Sequence, residues 1–344
     1  MSFTESLLDK GLVPDAMIRA GIRKLLRERI AEMPVDAAAR RAGLIAFVAS
    51  LREEPIAVRQ DAANAQHYEV PSAFYTRVLG KHLKYSGCVW EKGVADLDAA
   101  EAATLALYAE RAGLVDGMRV LDLGCGWGSL SLWLAERYRG CKVTAISNAR
   151  NQREFIEARA KERGLVNLEV LTRDVQSLEL DKTFDRIFSI EMFEHMRNWP
   201  ALLEKISRWL APDGRLFVHV FVHKDWSYRF EVGGAGDWMA RHFFTGGQMP
   251  ADDQLVLCDD HLVVTKRWKV DGTHYQKTAE AWLENLDRNW EDCCRVLSKR
   301  QLRRFRVFFM ACAELWGADR GREWYVSHYL LGAKGRVPKI GSAP

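Results

Sequence analysis

An α/β fold built on a doubly wound, mostly parallel sheet is what this sequence predicts, and three observations predict it. From about residue 115, short β-branched runs (RVLDL, KVTAI, LEVLT, DRIFSI and GRLFVHVF) alternate with helical stretches such as LSLWLAERY and NQREFIEARAKERG. Such alternation places parallel strands side by side and covers both faces with helices. The first run passes directly into a glycine-rich turn, VLDLGCGWG (Val120 to Gly128), where doubly wound sheets receive nucleotides. A chain of 344 residues with 48% hydrophobic and 28% charged side chains has ample room for a core without staples.

The elements follow in order. Residues 1–60 read as a helical extension: Ile18, Ile22, Leu25, Leu26, Ile30 and Met33 recur at helical spacing with Arg19, Arg23, Lys24, Arg27 and Arg29 between them, and Pro34 stops the pattern. Such a helix packs on its own domain with a solvated basic face, and is favoured in that role over one lying on a membrane or lipid. Residues 61–344 form the main domain. After the fifth strand the stretch 222–256, rich in glycine and aromatics, reads as an inserted lid or pocket wall. A strand at His261 to Val270, helices at Ala279–Asn289 and Arg300–Leu315, and a last strand in WYVSHYLL complete the chain.

Composition excludes several classes. Fifty basic against 46 acidic side chains leave +4, spread along the chain, so no electrostatic footprint for nucleic acid is visible. Seven cysteines without a CxxC pair form neither a disulfide framework nor a zinc site, and no metal is expected. With neither a leader nor an apolar run of roughly 18 residues, a cytoplasmic protein is expected.

The glycine turn distinguishes among nucleotide ligands. A dinucleotide enzyme wants GxGxxG and an acid about 20 residues further on to hold a ribose. Here the pattern is GxGxG, the acid Asp122 precedes the loop, and KVTAISNARNQ carries none. That tells against NAD. The loop resembles that of S-adenosylmethionine-dependent methyltransferases. The resemblance implies a class I, seven-stranded Rossmann-like fold in which Gly124, Gly126 and Gly128 line the cofactor with Asp122 beside it. Ser147 and Gln152 would replace the acid that often grips the ribose, and Asp174 and Val175 match a pair that contacts adenine. A simple turn or cap at Asp174 is the competing reading.

Further segments narrow the family: QHYEVPSAFYTRVLGKHLKYSGCVW from Gln66, SIEMFEHM from Ser189, LFVHVF from Leu216, FFTGGQMP from Phe243 and HYQKTAEAWLENLD from His274. In order and spacing they resemble the cyclopropane-fatty-acid synthase superfamily, most closely its coclaurine-type N-methyltransferase branch. The resemblance implies S-adenosyl-L-methionine as donor, S-adenosyl-L-homocysteine as product, and Tyr85 and Ser86 near the methionine end. Cyclopropane synthases hold a bicarbonate in a small pocket. Glu194, His219 and Tyr275 match it, but the expected cysteine is Gly87, with Cys88 one place on, and the expected isoleucine is Phe221. Two changes in five positions disfavour cyclopropanation.

Methyl transfer to an amine needs orientation, exclusion of water and a group to take the ammonium proton. Glu191, Glu194 and His195 are spaced three and four apart, and would share one face if a helix began here. Glu194 and His195 are the expected proton acceptors and Glu191 the electrostatic partner of a small, aromatic-bearing amine. Trp226, Tyr228, Phe230, Trp238, Phe243 and Phe244 crowd the lid as candidate ring faces, Trp226 and Phe243 foremost, beside His219, Phe221 and Tyr275 in the pocket. Two rivals stay open: a lipid-modifying enzyme acting on an unsaturated acyl chain, and a non-catalytic module that only binds S-adenosylmethionine. A homodimer is also left open.

Overall fold

A computed structural model describes residues 3–58, 70–230, 238–243 and 245–335. Helices α1 (Phe3–Lys10), α2 (Asp15–Ala31) and α3 (Ala37–Leu51) open the chain, followed by α4 (Ser72–Val78) and α5 (Leu97–Ala112). The expected boundary at residues 60 and 61 lies outside the described residues. Ile18, Ile22 and Leu26 of α2 pack against the core, whereas Leu25 and Ile30, read as part of the same stripe, are exposed. The basic face is not wholly solvated: Arg19 bridges Glu280 at 2.7 Å and Glu314 at 3.0 Å. Sequence spacing cannot show this, because the partner acids lie 261 and 295 residues away. No helix among the described residues is long and apolar enough to cross a membrane.

The sheet begins with β1 (Arg119–Leu123), α6 (Ser129–Arg137), β2 (Lys142–Ser147), α7 (Arg150–Glu162) and β3 (Leu168–Thr172). It continues through β4 (Phe184–Ile190), α8 (Trp199–Trp209) and β5 (Leu210–His223). Within 222–256, β6 (Tyr228–Arg229) pairs antiparallel with β7 (Gln248–Met249), and α9 (Trp238–His242) lies between them. Then come β8 (Leu262–Val270), α10 (Gly272–Arg288), α11 (Trp290–Cys293), α12 (Lys299–Gly317) and β9 (Trp324–Ala333). The seven-stranded sheet has the order β3-β2-β1-β4-β5-β9-β8. β9 is inserted antiparallel between β5 and β8, and the first five strands run parallel.

Adjacent residues of β1 serve opposite faces, as the pleat requires. Val120 joins Leu105, Leu134 and Ile156 of α5, α6 and α7, while Leu121 joins Leu202, Leu203 and Ile206 of α8. A third cluster fastens α4, α10 and α12 over the carboxyl ends of the strands. The strand order reverses at β1 and β4, so a crevice opens there between the sheet and this helical cap.

Gly128 shows how tightly that crevice is built. It begins α6 with φ +79°, and a Cβ would stand 2.6 Å from Ile156. A Gly128→Ala variant combines left-handed strain with overpacking, so urea denaturation is expected to show a loss of about 2–4 kcal/mol.

Candidate active site

The carboxyl ends of β1, β2 and β4 and the loop between α4 and α5 enclose a cavity of about 230 Å³. Its floor is the glycine turn. Gly124 and Cys125 donate their N–H groups to Ile146 O at 3.1 and 2.9 Å, bending the chain back over β2. Gly124 has φ +85°, and a Cβ there would meet Met192 at 2.8 Å. Asp122 is buried at the end of β1, and the Ser131 hydroxyl donates to it at 2.5 Å. Burial pushes its carboxyl up to about 6, against the Ser131 hydroxyl, which pulls it down. At the end of β2, Ser147 donates to Gln152 Oε1 at 2.7 Å, so hydroxyl and amide form one pair on the cavity wall.

The opposite wall comes from the loop carrying Lys84, Tyr85 and Ser86. Glu101, fully buried on α5, accepts the N–H groups of Gly80, His82 and Lys84 at 2.9, 2.7 and 3.1 Å. That carboxylate folds the loop. Lys84 is also buried, donating to Ser86 Oγ at 2.7 Å and to Gly87 O at 2.5 Å. Tyr85 places its ring 5.4 Å from Trp282, and its hydroxyl is buried without a hydrogen-bond partner among the described residues.

The acidic residues converge differently from the spacing argument. SIEMFEH forms only one 3-10 turn (Phe193–His195), and Glu191 stands just before it with φ +46°, a costly value for a residue with a side chain. Convergence comes from that strained corner at the end of β4. Gly87 N–H donates to Glu191 Oε1 at 3.0 Å, His219 Nε2 lies 3.0 Å from the same oxygen, and the Tyr275 hydroxyl donates to Oε2 at 2.8 Å. Burial pushes the Glu191 carboxyl up, while Lys84, the Gly87 N–H, Tyr275 and His195 pull it back. Glu194 is 1% exposed, and its Oε2 has no hydrogen-bond partner among the described residues. Burial and the neighbouring charge of Glu191 push its carboxyl well above the ordinary range. One of two close carboxylates thus keeps its proton more readily.

Of the residues singled out from the sequence, the cavity is lined by Tyr85, Ser86, Asp122, Gly124, Gly126, Ser147, Gln152, Val175, Glu191, Glu194, His195 and Tyr275. The others lie outside its lining. Gly128 packs on Ile156, and Asp174 accepts the Gln176 N–H at 2.8 Å in a local turn. His219 stands behind Glu191, and Phe221 packs 5.5 Å from Trp316. Phe243 stacks at 4.1 Å behind Phe308, and Trp226 packs on Gly43 of α3. Phe244 lies outside the described residues. The aromatic lining instead includes Tyr75, Trp127, Trp282 and Phe308. Trp127 could have been found in GCGWG; Trp282 and Phe308 carry no signal separating them from ordinary helix packing.

Gly87 decides what the corner can hold. A Cβ there would stand 2.8 Å from the Tyr275 ring, so a cysteine side chain has no room unless that ring moves. The donors expected to face a bicarbonate, His219 and Tyr275, are instead directed at Glu191, a carboxylate of the chain itself.

Residues 57–322 match the family described as mycolic acid cyclopropane synthetase. The chain belongs to this family. It is 37% identical over 340 residues to (S)-coclaurine N-methyltransferase of Thalictrum flavum subsp. glaucum, covering 95% of this chain and 94% of that one. Cyclopropane-fatty-acyl-phospholipid synthase of Escherichia coli (strain K12) is 30% identical over 260 residues, covering 75% and 64% of the two chains. A crystal structure of coclaurine N-methyltransferase bound to N-methylheliamine and S-adenosylhomocysteine superposes with a TM-score of 0.91 at 35% identity, covering 95% of this chain and 98% of that one. The protein is an S-adenosylmethionine-dependent methyltransferase with the class I fold. Its cavity fits that donor: it runs from Ser147, Gln152 and Val175 past the glycine turn to Tyr85, and the unpartnered Tyr85 hydroxyl can meet a ligand's acceptor atoms. Among the described residues no cluster of three or more His, Cys, Asp and Glu could hold a metal ion.

Proposed function

We propose that this enzyme methylates the nitrogen of a small amine bearing an aromatic group. The observation that carries the reading is the carboxylate pair on one cavity wall: Glu191 engaged by donors on both oxygens, Glu194 buried with one oxygen unpartnered among the described residues. Relatives named coclaurine and pavine N-methyltransferase support it.

In this reading Asp122, Gly124, Gly126, Ser147, Gln152 and Val175 hold the adenosyl half of S-adenosylmethionine, and Tyr85 and Ser86 the methionine half. Gly128 and Asp174 shape the turns that present them. When bound, the donor supplies an electrophilic methyl group on a sulfonium. Tyr85, Trp282, Phe308 and Tyr275 close the acceptor side with ring faces, which attract a cation and exclude water. An alkyl amine arrives as an ammonium with no lone pair. Glu194, with its carboxyl pushed up by burial and by Glu191, is a stronger base than an exposed carboxylate and takes that proton, with His195 beside it on the same wall. Glu191 stays charged and stabilises the cationic amine and product.

Methyl-labelled S-adenosylmethionine, offered together with a panel of secondary aromatic-bearing amines and with vesicles of unsaturated phospholipid, tests the reading. Label is expected on nitrogen. Label confined to the acyl chains overturns it in favour of lipid modification, and binding without transfer to any acceptor overturns it in favour of a non-catalytic module.

A further inference from the structure

Behind Glu191 runs a line of side chains that the reaction itself does not touch. His219 on β5 and His328 on β9 are direct register partners, so their rings meet on one face of the sheet with centroids 4.8 Å apart. His328 Nε2 lies 2.9 Å from His219 Nδ1, and His219 Nε2 lies 3.0 Å from Glu191 Oε1. At the far end Arg111, in the last turn of α5, places Nη1 2.5 Å from His328 Nδ1, its guanidinium 5.1 Å from the Trp268 ring centre. Both imidazoles are buried, at 1% exposure or less.

Direction follows from the chemistry of the first member. A guanidinium donates and never accepts, and it keeps its charge at any pH a protein survives. His328 Nδ1 must therefore be bare, which puts the proton of that ring on Nε2. His328 then donates to His219 Nδ1, which must be bare in turn; the Tyr108 hydroxyl lies 2.7 Å from the same nitrogen. The proton of His219 sits on Nε2 and points at Glu191. A second proton on either ring would set donor against donor.

We propose that Arg111 and His328 are positioning residues that fix His219 as a permanent donor to Glu191, holding that carboxylate charged and in place so that Glu194 exchanges the proton. The proposal rests on the amine-methylating reading of the same site. The surroundings agree with it. Burial, with Lys84 and Arg111, depresses His219 well below the ordinary histidine value, and burial, with His219, Arg111 and Lys84, does the same to His328. The charged and titratable groups facing Glu191 include Lys84, His195, Glu194, Tyr275 and His219, with Tyr85, Cys88, Tyr108 and Cys312 around them; those facing Arg111 include Glu110, Tyr108, Glu91, His219 and His328. Of these, the Tyr108 hydroxyl is the one acceptor within reach of His219 Nδ1, and a proton on that nitrogen would still face the His328 Nε2–H.

The experiment has two arms. In the full-length wild-type protein, 15N NMR of the imidazoles is expected to show His219 and His328 as neutral Nε2–H tautomers from about pH 6 to 9. Titration of either ring in that window, or an Nδ1–H tautomer, overturns the proposal whatever the substrate proves to be. In the second arm, Arg111→Met and His328→Phe are compared with Arg111→Lys, which keeps a charged donor. On an amine, the acid limb of the kcat–pH profile is expected to move to higher pH in the first two variants and to return toward wild type in Arg111→Lys. Folded variants whose profile stays in place, or an Arg111→Lys profile shifted as far as that of Arg111→Met, overturn it. A wild-type enzyme inactive on all amines sinks the functional reading and leaves the NMR arm to decide the chain.

Discussion

Glu194→Gln is expected to lower kcat on a secondary amine by about 10²–10⁴-fold, the range over which a positioned general base contributes. Glutamine keeps the volume of the side chain, so S-adenosylhomocysteine affinity should stay within a few-fold of wild type, separating proton transfer from cofactor binding. The wild-type rate should also climb with pH through the raised value of Glu194: below it the carboxyl is protonated and cannot accept, above it the base is available. The variant should lose that limb. Adding His195→Ala should lower the rate further if the imidazole shares the task. A Glu194→Gln, His195→Ala double variant as active as wild type would remove the chemical basis of the mechanism.

Glu101→Ala is expected to give the largest loss of stability. Three backbone N–H groups, of Gly80, His82 and Lys84, end on this one buried carboxylate, and each donor left unsatisfied costs about 1–3 kcal/mol. A loss of roughly 3–5 kcal/mol in urea denaturation is expected once the chain has relaxed. Because the same loop carries Tyr85, Ser86 and Gly87, S-adenosylhomocysteine affinity should fall with it. Burial raises the Glu101 carboxyl to about 7, against the three N–H donors and Lys84. A folded value above the unfolded one means that folding favours the protonated form. Its proton-linked contribution is therefore complete below the ordinary carboxylate value of 4.5 and is lost as pH rises toward 7. Glu101→Ala should flatten that part of the wild-type stability–pH curve. Unaltered stability and binding would show that the loop folds without its buried acceptor.

The parallel sheet, the glycine turn and the meeting of Glu191, Glu194 and His195 on one cavity are legible because each rests on local information: period, turn chemistry and a contiguous motif. Even there the physical reason changed, since Glu191 reaches Glu194 through a strained corner and a 3-10 turn in place of a helix face. Illegible features depend on contacts between distant segments. Trp226 and Phe243 are aromatic and lie in the expected stretch, yet one packs on Gly43 and the other stacks behind Phe308. The lining ring of Trp282 belongs to α10, a helix whose amphipathic pattern gives no hint of a ligand. Lys84 is an ordinary charged residue until folding buries it against Ser86 and Gly87. His219 was named by resemblance, but Arg111 and His328 became its partners only when α5 and β9 met β5.

The buried carboxylate pair is expected to receive the amine nitrogen beside the methyl donor. A crystal structure of the enzyme with S-adenosylhomocysteine and a methylated amine tests it most directly. The expected result is an amine nitrogen about 2.6–3.2 Å from a Glu194 oxygen, with Glu191 still held by Gly87, His219 and Tyr275. An amine seated elsewhere in the cavity, its nitrogen out of reach of both Glu194 and Glu191, would contradict it.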